Sequence, residues 1–375
     1  MPDPAAIQLP DDLRPSDGRF GSGPSKVRTD AVQRLAAAAP TYLGTSHRRE
    51  GVRVVVRRIK QGLADLYSLP DGYEVLLGNG GTTAFWDAAA FGLIERQSEH
   101  LSFGEFTAKF AAVTRGAPHL EDPIIVESPP GTHPAWKGSD ADTFAMAHNE
   151  TSTGVTMPVE APDGRSADRL LIVDATSAAG GIAVDLTQVD TYYFAPQKAF
   201  ASEGGLWLAL CSPAAIARIE RIAATDRWQP PSLSLLIALE NSRLDQTYNT
   251  PALATLFLLE DTIQWMLANG GLAGMAKRTA ASANVVYGWA DASAFATPFV
   301  QKPSERSPVT ATIDFEGVEA DDLAAALRAN GIVDVESYRK LGRNQLRIAM
   351  FPAIETSDLE ILTRAIDHIV AALQK

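Results

Sequence analysis

The chain has one cysteine, Cys211, among 375 residues. A single thiol excludes an internal disulfide and suits a reducing compartment, so a cytoplasmic setting is expected. Long apolar runs are missing too. No stretch approaches the roughly 18 uninterrupted apolar residues that suggest a membrane-spanning helix, and no membrane partner is expected. Positive charge is in deficit: 33 Lys and Arg face 45 Asp and Glu, a net charge of −12. That balance argues against nucleic acid or an anionic membrane as partner, and any anionic ligand must be held by local cations. The six histidines, at 47, 100, 119, 133, 148 and 368, lack metal-ligand spacing such as His-x-x-x-His with a glutamate, so no metal is expected. His100, His119, His133 and His368 read as surface or capping residues. The acidic residues form no pair suited to glycoside hydrolysis. Repeats and low-complexity tracts are absent. The segment MPDPAAIQLPDDLRPSDG lacks the basic start and apolar centre of a signal peptide. It reads as a poorly ordered arm over residues 1–16, or one docked across another surface.

What is present is material for a large core, with 46% hydrophobic residues. GVRVVVRRIKQGLADLYSL carries Val52, Val56, Ile59, Leu63 and Leu66 at steps of three and four, the stripe of an amphipathic helix. Arg53, Arg57, Arg58 and Lys60 mostly fall off that stripe and read as a solvated face. Seven short apolar runs follow: YEVLL, EHLSF, PIIVE, TFAMAH, RLLIVDA, TYYFA and LWLAL. Several are separated by Ala-rich helical stretches. The alternation predicts an α/β fold, a mainly parallel or mixed sheet covered by helices on both faces. Ligands of such sheets bind beyond the carboxyl ends of strands. Helices are expected over 252–268 and 272–290. They are followed by a strand in VTATIDF, a helix in ADDLAAALRAN, strands in IVDVE and QLRIAM, and a helix from Ser357. The division is a large domain over 17–262 and a small C-terminal α/β domain over 263–375.

In TYYFAPQKAFASEGG, Lys198 follows an apolar run and precedes a glycine-rich turn. Alone it would be a surface charge. In RLLIVDATSAAGG, however, Asp174 follows another apolar run, 24 residues before Lys198. Two such strand ends put an ammonium and a carboxylate on one sheet edge. A lysine able to form a Schiff base and an aspartate able to pair with a pyridinium nitrogen are the minimal protein equipment for pyridoxal phosphate chemistry. A helix N-cap or turn aspartate has the same local pattern. YEVLLGNGGTTAFWDAAAFGLI is a strand, a Gly-rich turn and a helix, with exposed N–H groups suited to an anion. It lacks the Gly-Lys-Ser/Thr ending of a nucleotide-binding P-loop and the G-x-G-x-x-G of a dinucleotide fold, and a tight turn with a capping threonine would look alike. HNETSTG and TYNTP also concentrate polar groups at loop positions.

FGSGPSKV, GTSHRR, HNETSTG, DATSAAGG, APQKAF and YNTP occur in that order. Together they resemble the phosphoserine aminotransferase family of fold-type I pyridoxal phosphate enzymes, and within it the actinobacterial branch, over roughly residues 20–350. The resemblance implies a seven-stranded large domain and a homodimer with its active site at the subunit interface. It implies Lys198 as the Schiff-base lysine and proton carrier, and Asp174 at the pyridine nitrogen. Phe106, where many relatives carry Trp, would stack on the cofactor ring, with Thr151 on its hydroxyl side. Gln197 would contact the cofactor phosphate, as would Thr82 and Thr83, where other members have Gly-Arg. Asn249 and Thr250 would reach that phosphate from the partner subunit.

The implied substrates, L-glutamate and 3-phosphohydroxypyruvate, are multiply anionic and need cations. His47 and Arg48 in SHRR are candidates. Arg347 in QLRIAM matches the family's α-carboxylate arginine, whose fork binds bidentately. Where relatives carry a His-Arg pair, YRKLGRNQLR offers Arg339, Lys340 or Arg343. The implied reaction gives O-phospho-L-serine and 2-oxoglutarate, as in serine biosynthesis, with 4-phosphohydroxythreonine as a further substrate of some members. The alternatives are another fold-type I enzyme, such as an alanine–glyoxylate aminotransferase or a cysteine desulfurase, and a non-catalytic pyridoxal-phosphate-binding protein. Cys211, in a strand-end LWLALCSP, reads as a buried small residue and counts against a desulfurase.

Overall fold

A computed structural model describes residues 3–374. All seven apolar runs become strands of one sheet: β1 (Glu74–Asn79), β2 (Ser98–Ser102), β3 (Ile124–Glu127), β4 (Thr143–Ala147), β7 (Leu170–Asp174), β8 (Thr191–Phe194) and β9 (Leu206–Cys211). The short strands β5 (Asn149–Glu150) and β6 (Val155–Thr156) pair only with each other. The sheet order is β1-β9-β8-β7-β4-β2-β3. β9 runs antiparallel to both β1 and β8, and the remaining pairs are parallel. Six strands therefore point the same way. The carboxyl ends of β1, β2, β4, β7 and β8 open onto one edge.

Strand residues alternate between two buried layers, which is why these runs lack polar alternation. Leu77, Leu171, Val173, Tyr192, Phe194 and Leu208 join one core with α2 (Glu50–Tyr67) and α7 (Leu253–Ala268). Leu76, Leu170, Ile172, Tyr193, Trp207 and Cys211 join the other, against α3 (Thr82–Gly92), α5 (Pro213–Ala223) and α6 (Leu235–Arg243). The predicted stripe of α2 is fully used: Val52, Val56, Ile59, Leu63 and Leu66 are all buried. Each such side chain is worth about 1.5–3 kcal/mol. Its cations are not a free solvated face. Arg57 Nε donates to Asp245 Oδ2 at 2.9 Å, Lys60 Nζ to Asp245 Oδ1 at 3.0 Å, and Arg53 Nε to the Leu244 carbonyl at 3.0 Å. They clamp the loop that leads to residues 247–250.

The remaining large-domain helices are α1 (Thr29–Tyr42), which patterning did not single out, and α4 (Glu105–Gly116). The C-terminal unit contains α8 (Gly271–Ala292), α9 (Ala320–Ala329) and α10 (Thr356–Leu373). They pack on a three-stranded antiparallel sheet of β10 (Ala296–Pro298), β11 (Thr310–Phe315) and β12 (Gln345–Ala349). IVDVE is not a strand of that sheet. It makes only isolated bridges, Arg19 to Val333 and Glu336 to Leu346, so its apolar residues serve burial rather than a ladder. The arm expected to be poorly ordered is docked over residues 3–16. Leu9 is buried in the C-terminal core, its N–H donates to Asn330 Oδ1 at 2.9 Å, and Ser16 N–H donates to Asp358 Oδ1 at 2.8 Å.

Candidate active site

Turns at the carboxyl ends of five parallel strands converge on one cavity of about 310 Å³. β7 delivers Asp174, β8 runs through Ala195-Pro196-Gln197 to Lys198, and β4 leads through His148 to Asn149 and Thr151. β2 leads to Phe106 at the start of α4, and β1 to Gly81, Thr82 and Thr83 at the start of α3. The C-terminal part of the chain completes the cavity lining with Arg347 on β12 and with Tyr338. Lys198, Asp174, Thr82, Thr83, Phe106, Thr151, Gln197 and Arg347 are thus brought together.

Lys198 is 7% exposed, and its Nζ donates to Thr151 Oγ1 at 2.7 Å. The ammonium stands over the Phe106 ring, 5.2 Å from its centroid. Burial pushes its pKa down to about 8; the Asp174 carboxylate opposes that shift and the Arg347 guanidinium adds to it. The FGSGPS segment is stitched beneath the lysine. Ser25 N–H donates to the Gln197 carbonyl at 2.9 Å, and Ser25 Oγ to the Lys198 carbonyl at 2.8 Å. Gly23 has φ of +136°, and a Cβ there would lie 2.8 Å from Lys198 Cε. Only glycine meets both conditions.

Asp174 is buried, and desolvation raises its pKa, opposed by donors and by Lys198. The Thr176 N–H donates to Oδ1 at 2.9 Å and Trp86 Nε1 to Oδ2 at 3.2 Å. Trp86 was not anticipated. It lies four residues after Thr82 on α3, one turn on, and that spacing was a signal that both line the same side. Tyr338 was also missed, having only its neighbours in YRKLGR to recommend it; its ring lies 5.3 Å from the Arg347 guanidinium and 6.0 Å from Phe106.

Arg347 is largely buried, yet among the described residues its guanidinium has neither a carboxylate partner nor a hydrogen-bond acceptor. Gln197 Oε1 and Asn149 Oδ1 are likewise buried without partners. Buried polar atoms without partners are rare, and here they face one cavity. The set fits pyridoxal phosphate: an amine, a carboxylate for a pyridinium, an aromatic face, and hydroxyls with a helix start for a phosphate.

Other candidates lie elsewhere. His47, Arg48, Asn249 and Thr250 do not line this cavity. His47 is buried, and desolvation and Arg48 lower its pKa. The Thr250 carbonyl accepts from Asn79 Nδ2 at 3.1 Å, while Asn249 is exposed. Arg339 and Lys340 line an adjoining cavity that shares Ser22, Gly23, Tyr338 and Arg347 with the first. Lys340 pairs with Glu105 across the domains. Arg343 is turned away and bound to Asp314, Nη2 to Oδ2 at 2.5 Å. His100 is not a surface residue. It is buried between Ser98 Oγ, 2.9 Å away, and Thr114 Oγ1, 3.1 Å away, and burial pushes its pKa down to about 3.

Residues 137–342, more than half the chain, match the class-V aminotransferase family. The chain belongs to that family. A phosphoserine aminotransferase of Nocardioides sp. is 56% identical over 368 residues, covering 97% of this chain and 98% of the relative. The structure of a phosphoserine aminotransferase from Cytophaga hutchinsonii superposes with a TM-score of 0.87 at 26% identity, covering 93% of this chain and 97% of that one. A phosphoserine aminotransferase from Trichomonas vaginalis, solved with pyridoxal phosphate bound, shares the fold with a TM-score of 0.81 at 20% identity, covering 94% and 99%. Asp174 ends β7 and is in register with Tyr193 of the adjacent parallel strand β8, whose following turn carries Lys198.

Proposed function

We propose that the protein is a phosphoserine aminotransferase, moving an amino group from L-glutamate to 3-phosphohydroxypyruvate to give 2-oxoglutarate and O-phospho-L-serine. The observation that carries the reading is the unpaired Arg347 guanidinium in the cavity that holds Lys198 and Asp174. Both substrates carry an α-carboxylate for that fork. Pyridoxal phosphate, when bound, supplies an electron sink that lets the Cα–H bond break. The chain supplies the rest. Asp174 would favour a protonated ring nitrogen, Phe106 would cover the ring face, and Thr82, Thr83 and Gln197 would hold the phosphate. With a pKa near 8, Lys198 Nζ has a neutral fraction that would take the substrate's Cα proton and pass it to the cofactor's C4′ carbon. Thr151 Oγ1 holds that nitrogen in place between the two transfers.

His47 donates to the backbone at Thr247, next to Asn249 and Thr250 in the chain, apart from the chain's own Lys198 cavity. This supports a homodimer in which one subunit's His47, Arg48, Asn249 and Thr250 complete its partner's site. Arg339 and Lys340, in the adjoining cavity, are the candidates for the substrate phosphate, although Glu105 already holds Lys340; Arg343 is the least suited because Asp314 holds it outside both cavities. A cytoplasmic setting accords with the single buried Cys211.

The test is transamination with glutamate as donor and 3-phosphohydroxypyruvate, pyruvate or glyoxylate as acceptor. Activity on the phosphorylated acceptor, lost in Lys198→Ala, is expected. Comparable activity on pyruvate or glyoxylate, with none on phosphohydroxypyruvate, overturns the substrate. The dimer is tested by mixing Lys198→Ala with Asn249→Ala chains, which restores part of the activity only if sites are shared.

A further inference from the structure

Glu150, on β5 in the HNETSTG segment, is completely buried, and every group around its carboxylate is a donor. Oε2 accepts from the N–H groups of Phe106 at 3.1 Å and Thr107 at 3.0 Å, and from Thr107 Oγ1 at 3.1 Å. Oε1 accepts from Ser152 N–H at 3.1 Å and Ser152 Oγ at 2.7 Å. Ser152 Oγ in turn accepts from the Glu105 N–H at 3.0 Å. Three N–H groups of the first turn of α4 are therefore held, directly or through one hydroxyl, by a single side chain. Those N–H groups have no partner inside the helix, and the positive end of its dipole favours an anion there. Thr107 Oγ1 already accepts from the N–H groups of Phe103 and Gly104, so it has no lone pair for a protonated carboxyl. The backbone is built around this contact, since a Cβ on Gly104 would lie 2.3 Å from Glu150 Cγ.

We propose that Glu150 is a positioning residue of the active site, fixing the start of α4 so that the Phe106 ring faces Lys198 while supplying a buried negative charge beneath that helix start. The proposal rests on the pyridoxal phosphate reading of the cavity. Glu150 touches neither cofactor nor substrate; it acts through Phe106 and through its charge. The charged groups facing Lys198 are Asp174 from β7, Arg347 from β12 and Glu150 from β5. Glu150 and Asp174 favour the ammonium and Arg347 opposes it. Burial raises the Glu150 pKa above the ordinary carboxylate value, and the donors from Thr107 and Ser152 oppose that shift and favour its carboxylate.

The experiment is borohydride capture of pyridoxal phosphate on Lys198, read by peptide mass spectrometry across pH 6–10. In cofactor-free wild type given a brief pulse of pyridoxal phosphate before reduction, the initial rate of capture rises through a midpoint near 8, because only the free amine adds to the aldehyde. Glu150→Gln keeps an acceptor for Phe106 and Thr107 and removes the charge, so the midpoint moves down by about half a pH unit or more. Glu150→Asp keeps the midpoint of the wild type. A purely structural glutamate would lower the melting temperature of Glu150→Gln and leave the midpoint in place, and that result overturns the proposal. Should Glu150→Gln fail to fold, Ser152→Ala carries the test. It breaks the link to Glu105, and the circular dichroism of bound pyridoxal phosphate changes while capture is kept; an unchanged spectrum overturns the proposal. No capture by the wild type at any pH refutes the cofactor reading itself, and this inference with it.

Discussion

The indole N–H of Trp86 donates to the carboxylate of Asp174, Nε1 to Oδ2, at 3.2 Å. The same nitrogen lies 3.1 Å from the Tyr193 hydroxyl. A residue from the helix after the glycine turn thus orients a carboxylate at the end of a strand three places away from β1 in the sheet. Trp86→Phe keeps most of the ring and removes the donor. A hydrogen bond to a charged group is worth about 1.5–3 kcal/mol. The expected result is retention of pyridoxal phosphate weakened by roughly tenfold or more, measured by equilibrium dialysis. Unchanged affinity would show that Asp174 needs no such support.

Arg347 predicts a trade between stability and activity. An unpaired, mostly buried guanidinium costs folding energy that a substrate carboxylate would recover. Arg347→Met should stabilise the ligand-free protein by about 1–3 kcal/mol in urea titrations while lowering kcat/KM by about 100-fold or more. A destabilised variant would mean that the arginine serves the fold.

The pKa of Lys198 makes stability depend on pH in the cofactor-free protein. The folded lysine releases its proton near 8, whereas its ordinary value is 10.5. Between these values the unfolded chain binds more protons, so stability rises with pH, and below 8 the full penalty applies. Lys198→Met should therefore exceed the wild type by up to about 3 kcal/mol at pH 7. The gap should narrow as pH rises from 8 towards 10.5. Denaturation curves at pH 7 and pH 10 check this, and a constant gap contradicts it.

Two buried histidines predict acid sensitivity. Burial holds His100 down to about 3 and His148 down to about 4, against an ordinary 6.5. Below pH 6.5 the unfolded chain takes up these protons first, so stability falls as pH falls, until the folded values are reached. Each group contributes about 1.4 kcal/mol per pH unit. His100→Gln should flatten the slope between pH 6 and 4 by that amount, measured by chemical denaturation at several pH values. An unchanged slope would mean that His100 is charged in the fold.

Local sequence was enough for the seven sheet strands, the α2 stripe and the pairing of Lys198 with Asp174. Strand ends of a parallel sheet share an edge whatever the intervening chain does, so two residues after two apolar runs are already neighbours in principle. Three of the ordered motifs, HNETSTG, DATSAAGG and APQKAF, sit at turns feeding that edge, whereas GTSHRR and YNTP lie between helices and do not line the cavity. IVDVE looked like a strand because apolar alternation reports burial, and burial without a hydrogen-bonding neighbour gives only bridges. His100 looked exposed because one residue in a short run does not say whether both faces of its strand are covered.

The tertiary structure decided which charges were free. Lys340, Arg343 and Arg347 carry no sign in the sequence of which is already paired. Packing of the C-terminal unit on the rest of the chain gives Lys340 Glu105, packing within that unit gives Arg343 Asp314, and Arg347 is left unpaired beside Lys198. Glu150 likewise reads as one polar letter in HNETSTG, and its place beneath α4 depends on contacts 43 and 44 residues away. The sequence determined which groups reach the sheet edge, because strand periodicity is local. Their partners depended on long-range packing, because a charge is satisfied by whatever the folded chain brings within about 3 Å.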